Sequence, residues 1–172
     1  MPARTDAFDL GRLRMSAGEG RRLELETAVD AFSFGGQRYE VEPARVAVTL
    51  DISRTTGSGY ALRLEFAAGI EGPCMRCLAV ADQRIEVEAR EVDVPGGGEE
   101  LASPYVSDQV LDLSAWARDA LALALPPQIL CRPECAGLCA VCGEDLNTAG
   151  PEHAHERAPD PRWAALRELE LE

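Results

Sequence analysis

Six cysteines and two histidines, most of them in short-spaced groups, constrain the fold of this 172-residue chain more than any other feature. They are all the cysteines and histidines in the sequence: Cys74, Cys77, Cys131, Cys135, Cys139, Cys142, His153 and His155. Thiolate and imidazole are preferred ligands of Zn²⁺, and a structural zinc site takes four of them. Eight such side chains therefore predict two complete tetrahedral zinc sites.

Cysteines at these spacings form either disulfides or metal sites. The N-terminal residues 1–15 contain no apolar core, so we do not expect them to form a signal peptide. No apolar run is long enough to span a bilayer. We therefore expect a cytoplasmic protein with no membrane contact, and disulfides are rare in that compartment. Zinc is favoured, while a thiol redox switch and buried thiols without a metal are the alternatives.

The ligands divide most simply into a local and a long-range site. Cys139 and Cys142 form a CxxC pair followed by Gly143, which permits the tight turn that such a pair needs. His153 and His155 follow at an ordinary return spacing for a zinc module. The second site then takes Cys74, Cys77, Cys131 and Cys135.

Two other assignments of the ligands stay open. One is a single site made of Cys135, Cys139, Cys142 and one histidine. The other leaves both histidines as solvated loop residues. The number of bound zinc ions is accordingly at least one, and two in the preferred pairing.

The composition is that of a folded, acidic protein. Hydrophobic residues make up 46% of the chain, which is too many for a disordered segment. Thirty acidic residues outnumber seventeen basic ones, all arginines, and the net charge is −13. This balance argues against broad, non-specific binding to nucleic-acid backbone. It is compatible with protein partners or with a restricted contact to RNA; the densest basic stretch holds Arg4, Arg12, Arg14, Arg21 and Arg22.

Alternating apolar and polar residues predict a long-stranded antiparallel sheet. Residues 22–29, 39–52, 60–70 and 83–94 show this period of two, and Gly35-Gly36 indicates a hairpin turn. In the third stretch Leu62, Leu64 and Phe66 share one face. Long strands with polar outer faces indicate an α+β protein built on a curved sheet or a partly open β-barrel.

Apolar residues at helical spacing predict one long helix over 112–125, with Asp112 or Ser114 at its N-terminus and Pro126 after its end. A short C-terminal helix begins near Asp160-Pro161. Trp116 and Trp163 lie on the apolar stripes of these helices and are expected in the core. The predicted organisation is an arm over 1–20, a β-rich domain over 21–125 and a zinc-binding segment over 126–172.

Several of these motifs, in this order, resemble the YceD family, the bacterial large ribosomal RNA subunit accumulation protein. The first is the stretch from Gly72 to Leu78, GPCMRCL. The helix start Asp112-Leu113 and the Leu125-Pro126 pair before Cys131 also agree. The most specific motif is CAGLCAVCGEDLN over residues 135–147, followed by Asp160-Pro161-Arg162. The resemblance covers nearly the whole chain.

The chain departs from the family pattern at two places. His153-Ala154-His155 stands where members with the full motif usually carry Cys-x-Cys, and this exchange keeps zinc ligands while reducing the negative charge of the site. Asp145 replaces the usual first asparagine of an Asn-Leu-Asn triplet. The resemblance implies a cytoplasmic protein needed for normal accumulation of large-subunit (23S) ribosomal RNA.

The leading hypothesis is a non-enzymatic factor with structural zinc that supports the accumulation or processing of this RNA, or assembly of the large subunit. Its partner would be the RNA, a ribosomal protein or an assembly factor, contacted through Arg76, Arg132, Arg157 and Arg162. A redox-responsive zinc protein is the first alternative. A zinc hydrolase is the second; it would need an open coordination position and a base such as Glu134, Glu144 or Asp145. No motif for a small-molecule substrate is evident.

Overall fold

The computed structural model describes residues 2–150 and 152–155. The chain divides into two compact units, Met1–Cys135 and Ala136–Glu172. The domain boundaries expected from composition, after residues 20 and 125, stay predictions. The predicted C-terminal helix with Trp163 lies outside the described residues.

The first unit is mostly β-structure with one α-helix. Ten strands, β1 to β10 in chain order, span Ala3–Arg4, Ala7–Asp9, Gly20–Ala28, Phe32–Phe34, Gln37–Glu42, Arg45–Arg54, Tyr60–Pro73, Val80–Asp93, Val106–Ser107 and Val110–Asp112. Helix α1 spans Leu113–Ala124, and short 3-10 helices span Leu10–Leu13 and Glu99–Leu101. None of the helices in the described residues is long and apolar enough to cross a membrane.

Seven of the strands form one branched sheet around β7. Along one edge of β7, β8 pairs antiparallel over its whole length; along the other, β6 pairs with residues 60–66 and β5 with residues 69–71. The sheet continues from β6 to β3 and β1, and from β5 to β4. Among the described residues β1, β4 and β8 each have one strand neighbour, so the sheet is open and does not close into a barrel. A second sheet has the order β2-β10-β9.

The core forms where the sheet meets α1. Leu62, Leu64 and Phe66 of β7 are buried together, as their alternation predicts. Helix α1 packs against β8, β3 and β2, and it contributes Trp116 to the same hydrophobic core. The side chain of Asp112 accepts a hydrogen bond from the Ala115 N–H at 2.9 Å, which fixes the start of the helix.

The N-terminal residues are tied into the sheet by Asp6. Its carboxylate accepts hydrogen bonds from the Ala28 N–H at 2.9 Å and from the Arg45 guanidinium at 3.0 Å. These two donors hold the pKa of Asp6 below its usual value. The Asp6 carbonyl accepts the N–H groups of Leu113 and Ser114 at the first turn of α1. One residue thus connects the N-terminus, the sheet and the helix.

Replacing Gly72 with alanine should destabilise the first unit by about 1–3 kcal/mol. A Cβ at Gly72 would lie 2.3 Å from Cδ1 of Tyr39, whose buried ring donates its hydroxyl to the Pro73 carbonyl at 3.0 Å. The Tyr39 ring is 2% exposed and Gly72 is paired with Ala81 of β8, so packing and strand pairing hold both in place. Urea unfolding measures the effect. Gly20→Ala is the matched control, because its Cβ would meet nothing closer than 3.8 Å; equal midpoints for the two variants would contradict the prediction.

Candidate metal-binding clusters

The first cluster joins the end of β7 to the segment that follows α1. Cys74 and Cys77 lie in the connection between β7 and β8, while Cys131 and Cys135 lie after the helix. The sulfurs of Cys74 and Cys135 are 3.8 Å apart and those of Cys77 and Cys131 are 3.6 Å apart. All four sulfurs lie within 4.8 Å of one another. Cys74 and Cys135 are 0% and 1% exposed and belong to the core, while Cys77 and Cys131 are partly exposed and pack against it.

Hydrogen bonds outside the thiols hold these two segments together. The Met75 N–H donates to the Ile129 carbonyl at 2.9 Å, and the Ile129 N–H donates to the Met75 sulfur at 3.4 Å. The Arg76 guanidinium donates to Gln128 Oε1 at 2.9 Å and to the Cys135 carbonyl at 3.0 Å. Arg76, which the sequence makes a candidate RNA contact, therefore forms hydrogen bonds that hold the first cluster together. The role of Gln128 has no sequence signal, because it depends on a contact 52 residues away.

The second cluster lies within the second unit. Its members are Cys139, Cys142, His153 and His155, whose ligand atoms all lie within 4.8 Å of one another. Nε2 of His153 is 3.7 Å from the Cys142 sulfur and 3.2 Å from Nε2 of His155. Cys142 and His155 are exposed, whereas Cys139 and His153 are partly buried. This cluster is more accessible than the first.

Both CxxC pairs have the same local hydrogen bonds around their first cysteine. Its N–H donates to the carbonyl five residues ahead, its carbonyl accepts the N–H four residues ahead, and its sulfur accepts the N–H two residues ahead. These distances are 2.7, 3.0 and 3.5 Å around Cys74 and 2.8, 2.8 and 3.4 Å around Cys139. Successive N–H groups directed inward form a site for negative charge. The same turn, which stabilises a negative charge, therefore occurs at both CxxC pairs.

The residue after each CxxC pair has a left-handed backbone. Leu78 has φ 62° and Gly143 has φ 75°. Glycine adopts this conformation freely, whereas leucine does so at a cost of about 1–2 kcal/mol. Sequence reasoning identified the turn at Gly143 from its glycine and missed the equivalent turn at Leu78.

Replacing Leu78 with glycine should raise the free energy of unfolding by about 0.5–1 kcal/mol. Relief of the left-handed backbone exceeds the greater conformational freedom of glycine in the unfolded chain, and the leucine side chain is 61% exposed and loses little packing. Chemical denaturation of the metal-loaded protein measures the change. Leu78→Ala, which shortens the side chain without freeing the backbone, serves as the control; a gain as large as that of glycine would contradict the prediction.

The pKa values of Cys74 and Cys131 in the first cluster are shifted in opposite directions. Burial opposes ionisation of Cys74, but the N–H groups of Arg76, Cys131 and Cys77 outweigh it and lower the Cys74 pKa to about 6. Burial and the three neighbouring sulfurs raise the Cys131 pKa to about 12. Four thiolates at this separation repel one another. The donor set therefore suits a cation, which would stabilise all four in ionised form.

The pKa values of Cys139 and His153 in the second cluster are shifted in opposite directions. A hydrogen bond from His153, followed by the N–H groups of Cys142 and Val141, lowers the Cys139 pKa to about 6. The same contact with Cys139, helped by Glu144, raises the His153 pKa. The set offers two sulfur and two nitrogen donors, which suit a borderline-soft metal ion.

The arginines singled out from the sequence have different surroundings. Arg132 is exposed, next to the first cluster. Arg157 and Arg162 lie outside the described residues. In the basic N-terminal stretch Arg4, Arg12 and Arg22 form ion pairs with Glu26, Asp9 and Asp51 respectively. Carboxylates thus offset much of that positive charge.

Comparison with known proteins agrees with the motifs that carry the clusters. The family described as large ribosomal RNA subunit accumulation protein YceD matches residues 62–170, which contain both clusters. Uncharacterized proteins of Mycobacterium tuberculosis and Mycobacterium bovis are each 39% identical over 163 residues, 91% of this chain and 78% of theirs. One of Mycobacterium leprae is 35% identical over 102 residues, 56% of this chain and 46% of its own. No solved structure matches with significance. The resemblance seen in the motifs is therefore confirmed, and the chain belongs to the YceD family.

Proposed function

We propose that this protein is a non-enzymatic factor that supports the accumulation of large-subunit ribosomal RNA and that two structural zinc ions stabilise it. The observation that carries the proposal is the pair of four-ligand clusters inside the region that matches the family. The family description supplies the link to ribosomal RNA. The zinc ions supply rigidity to loops that have little other regular structure.

The donor spacings support zinc. In a tetrahedral site with zinc–sulfur distances near 2.3 Å and zinc–nitrogen distances near 2.0 Å, sulfurs lie about 3.8 Å apart, nitrogens about 3.3 Å, and sulfur and nitrogen about 3.5 Å. The chain has sulfurs 3.8 and 3.6 Å apart, nitrogens 3.2 Å apart, and a sulfur–nitrogen distance of 3.7 Å. A disulfide would need sulfurs about 2.05 Å apart. The thiols are arranged around a space of the size of a metal ion.

The ligand number supports a structural role over a catalytic one. Catalytic zinc keeps an open position for water or substrate, whereas structural zinc has four protein ligands. Both clusters supply four. With zinc held in this way, Glu134, Glu144 and Asp145 would have no zinc-bound water to act on. A hydrolase is thus the less favoured function.

The partner is large-subunit ribosomal RNA, a ribosomal protein or an assembly factor. The strongly acidic chain favours a limited contact over broad backbone binding. Arg132, exposed beside the buried first cluster, is the candidate contact within the described residues. A rigid cluster would hold its backbone in place, so that only the side chain of Arg132 loses conformational freedom on binding.

Two measurements test the proposal. Elemental analysis of protein purified without chelators should find two zinc ions per chain and no reactive thiols under native conditions. Deletion of the gene in its host should lower the ratio of large- to small-subunit ribosomal RNA. Wild-type protein should restore the ratio, and Arg132→Ala should restore it less well than Arg14→Ala, an exposed arginine far along the sequence from both clusters. A metal-free chain, or an unchanged ratio after deletion, would refute the proposal.

A further inference from the structure

We infer that Glu144 positions His153 for metal binding by accepting a hydrogen bond from its Nδ1–H, so that Nε2 is the nitrogen presented to the ion. Oε2 of Glu144 lies 3.0 Å from Nδ1 of His153. The inference rests on the zinc site proposed above and adds a residue outside the eight ligands.

The geometry of the histidine pair agrees with this assignment. Nε2 of His153 faces both Nε2 of His155 at 3.2 Å and the Cys142 sulfur at 3.7 Å. Nδ1 faces the carboxylate on the other side of the ring. An imidazole that is held at one nitrogen by a carboxylate has its proton there, and the other nitrogen is left with a lone pair for the metal. The ring orientation and the tautomer are therefore fixed together.

Glu144 connects the two halves of the cluster. Its carbonyl accepts the Cys139 N–H at 2.8 Å, as part of the turn around the CxxC pair. Its side chain reaches the histidine that returns from nine residues further on. The backbone bond thus fixes the position from which the carboxylate acts.

The comparison of the two turns indicates that this carboxylate is specific to the histidine site. The carbonyl equivalent to that of Glu144 in the first cluster belongs to Ala79. That cluster contains only cysteines, which have no second nitrogen to orient. A set of two thiolates and two imidazoles leaves a Zn²⁺ site neutral, so a nearby carboxylate brings the total charge to only −1. Four thiolates would leave a charge of −2 and would disfavour such a neighbour.

The direct test is the tautomer of His153 in the zinc-loaded, full-length wild-type protein. Long-range ¹H–¹⁵N correlation spectra should show a protonated Nδ1 and a metal-bound Nε2. Zinc bound through Nδ1 would overturn the inference without affecting the zinc proposal. A wild-type chain with one zinc ion, and no zinc-dependent shift at His153, would overturn both.

Variants measure how much the carboxylate contributes. Competition with a chelator should show that Glu144→Ala weakens zinc binding at the second cluster by about 10–100-fold. Glu144→Gln, whose amide oxygen can still accept the bond, should lose less. Glu152→Ala is the control, because it removes an exposed carboxylate next to the same histidine and should leave affinity unchanged. Equal losses for Glu144→Ala and Glu152→Ala would overturn the inference.

Discussion

Replacing Cys74 with serine should remove one of two zinc ions and lower the free energy of unfolding of Met1–Cys135 by about 3 kcal/mol or more. The Cys74 sulfur is 0% exposed and lies 3.8 Å from the sulfur of Cys135, 61 residues away. Without its fourth ligand the metal no longer links the end of β7 to the segment after α1.

Zinc dependence separates the contribution of the metal from that of packing. Only the folded wild-type site binds the ion tightly, so adding zinc should increase the stability of the wild type and hardly affect that of Cys74→Ser. In excess chelator the two proteins should unfold at nearly the same denaturant concentration. Cys142→Ser makes the same chemical change in the second unit and should leave the unfolding of the first unit unaltered. If the difference between wild type and Cys74→Ser persisted in chelator, its cause would be packing, and the structural role of this zinc would be wrong.

Periodicity predicted the strands well where one face of the sheet is buried. Residues 60–70 were expected as a strand and lie within β7, and the Gly35-Gly36 turn joins β4 to β5 as a hairpin. The prediction of one strand over 39–52 was wrong. Pro43 has no N–H for a ladder and separates β5 from β6. The two strands then pair with different parts of β7, which no alternation pattern can reveal.

The cluster membership followed from ligand chemistry and local spacing, while its supporting contacts did not. Eight candidate ligands in short groups can be assigned to two sites in only a few ways. The two clusters in the structure contain the same residues as the preferred assignment. The positions of Gln128 and Asp6 depend on partners 52 and 39 residues away. From the sequence, Glu144 is a candidate catalytic base; that its carboxylate lies 3.0 Å from Nδ1 of His153 depends on the fold of the loop. The spacing of residues in the sequence thus does not determine long-range contacts or the orientation of the His153 ring.

Chelation should remove the two zinc ions in two phases, with the ion of the second cluster leaving at least about tenfold faster. A tenfold ratio of release rates requires that the free energies of local opening at the two clusters differ by only about 1.4 kcal/mol. Cys142 and His155 are exposed, so a chelator can displace them one at a time. In the first cluster Cys74 and Cys135 are buried and the other two cysteines are only partly exposed, and hydrogen bonds from Met75 and Arg76 hold the two segments together.

Stopped-flow absorbance with a coloured chelator resolves the phases, and two cysteine variants assign them. Cys142→Ser should abolish the fast phase, and Cys74→Ser the slow one, each leaving the other rate unchanged. After the fast phase the first unit should keep its unfolding midpoint, since its core includes only the first cluster. A single phase that releases both ions would contradict this, because it would mean that the buried cysteines open as readily as the exposed pair.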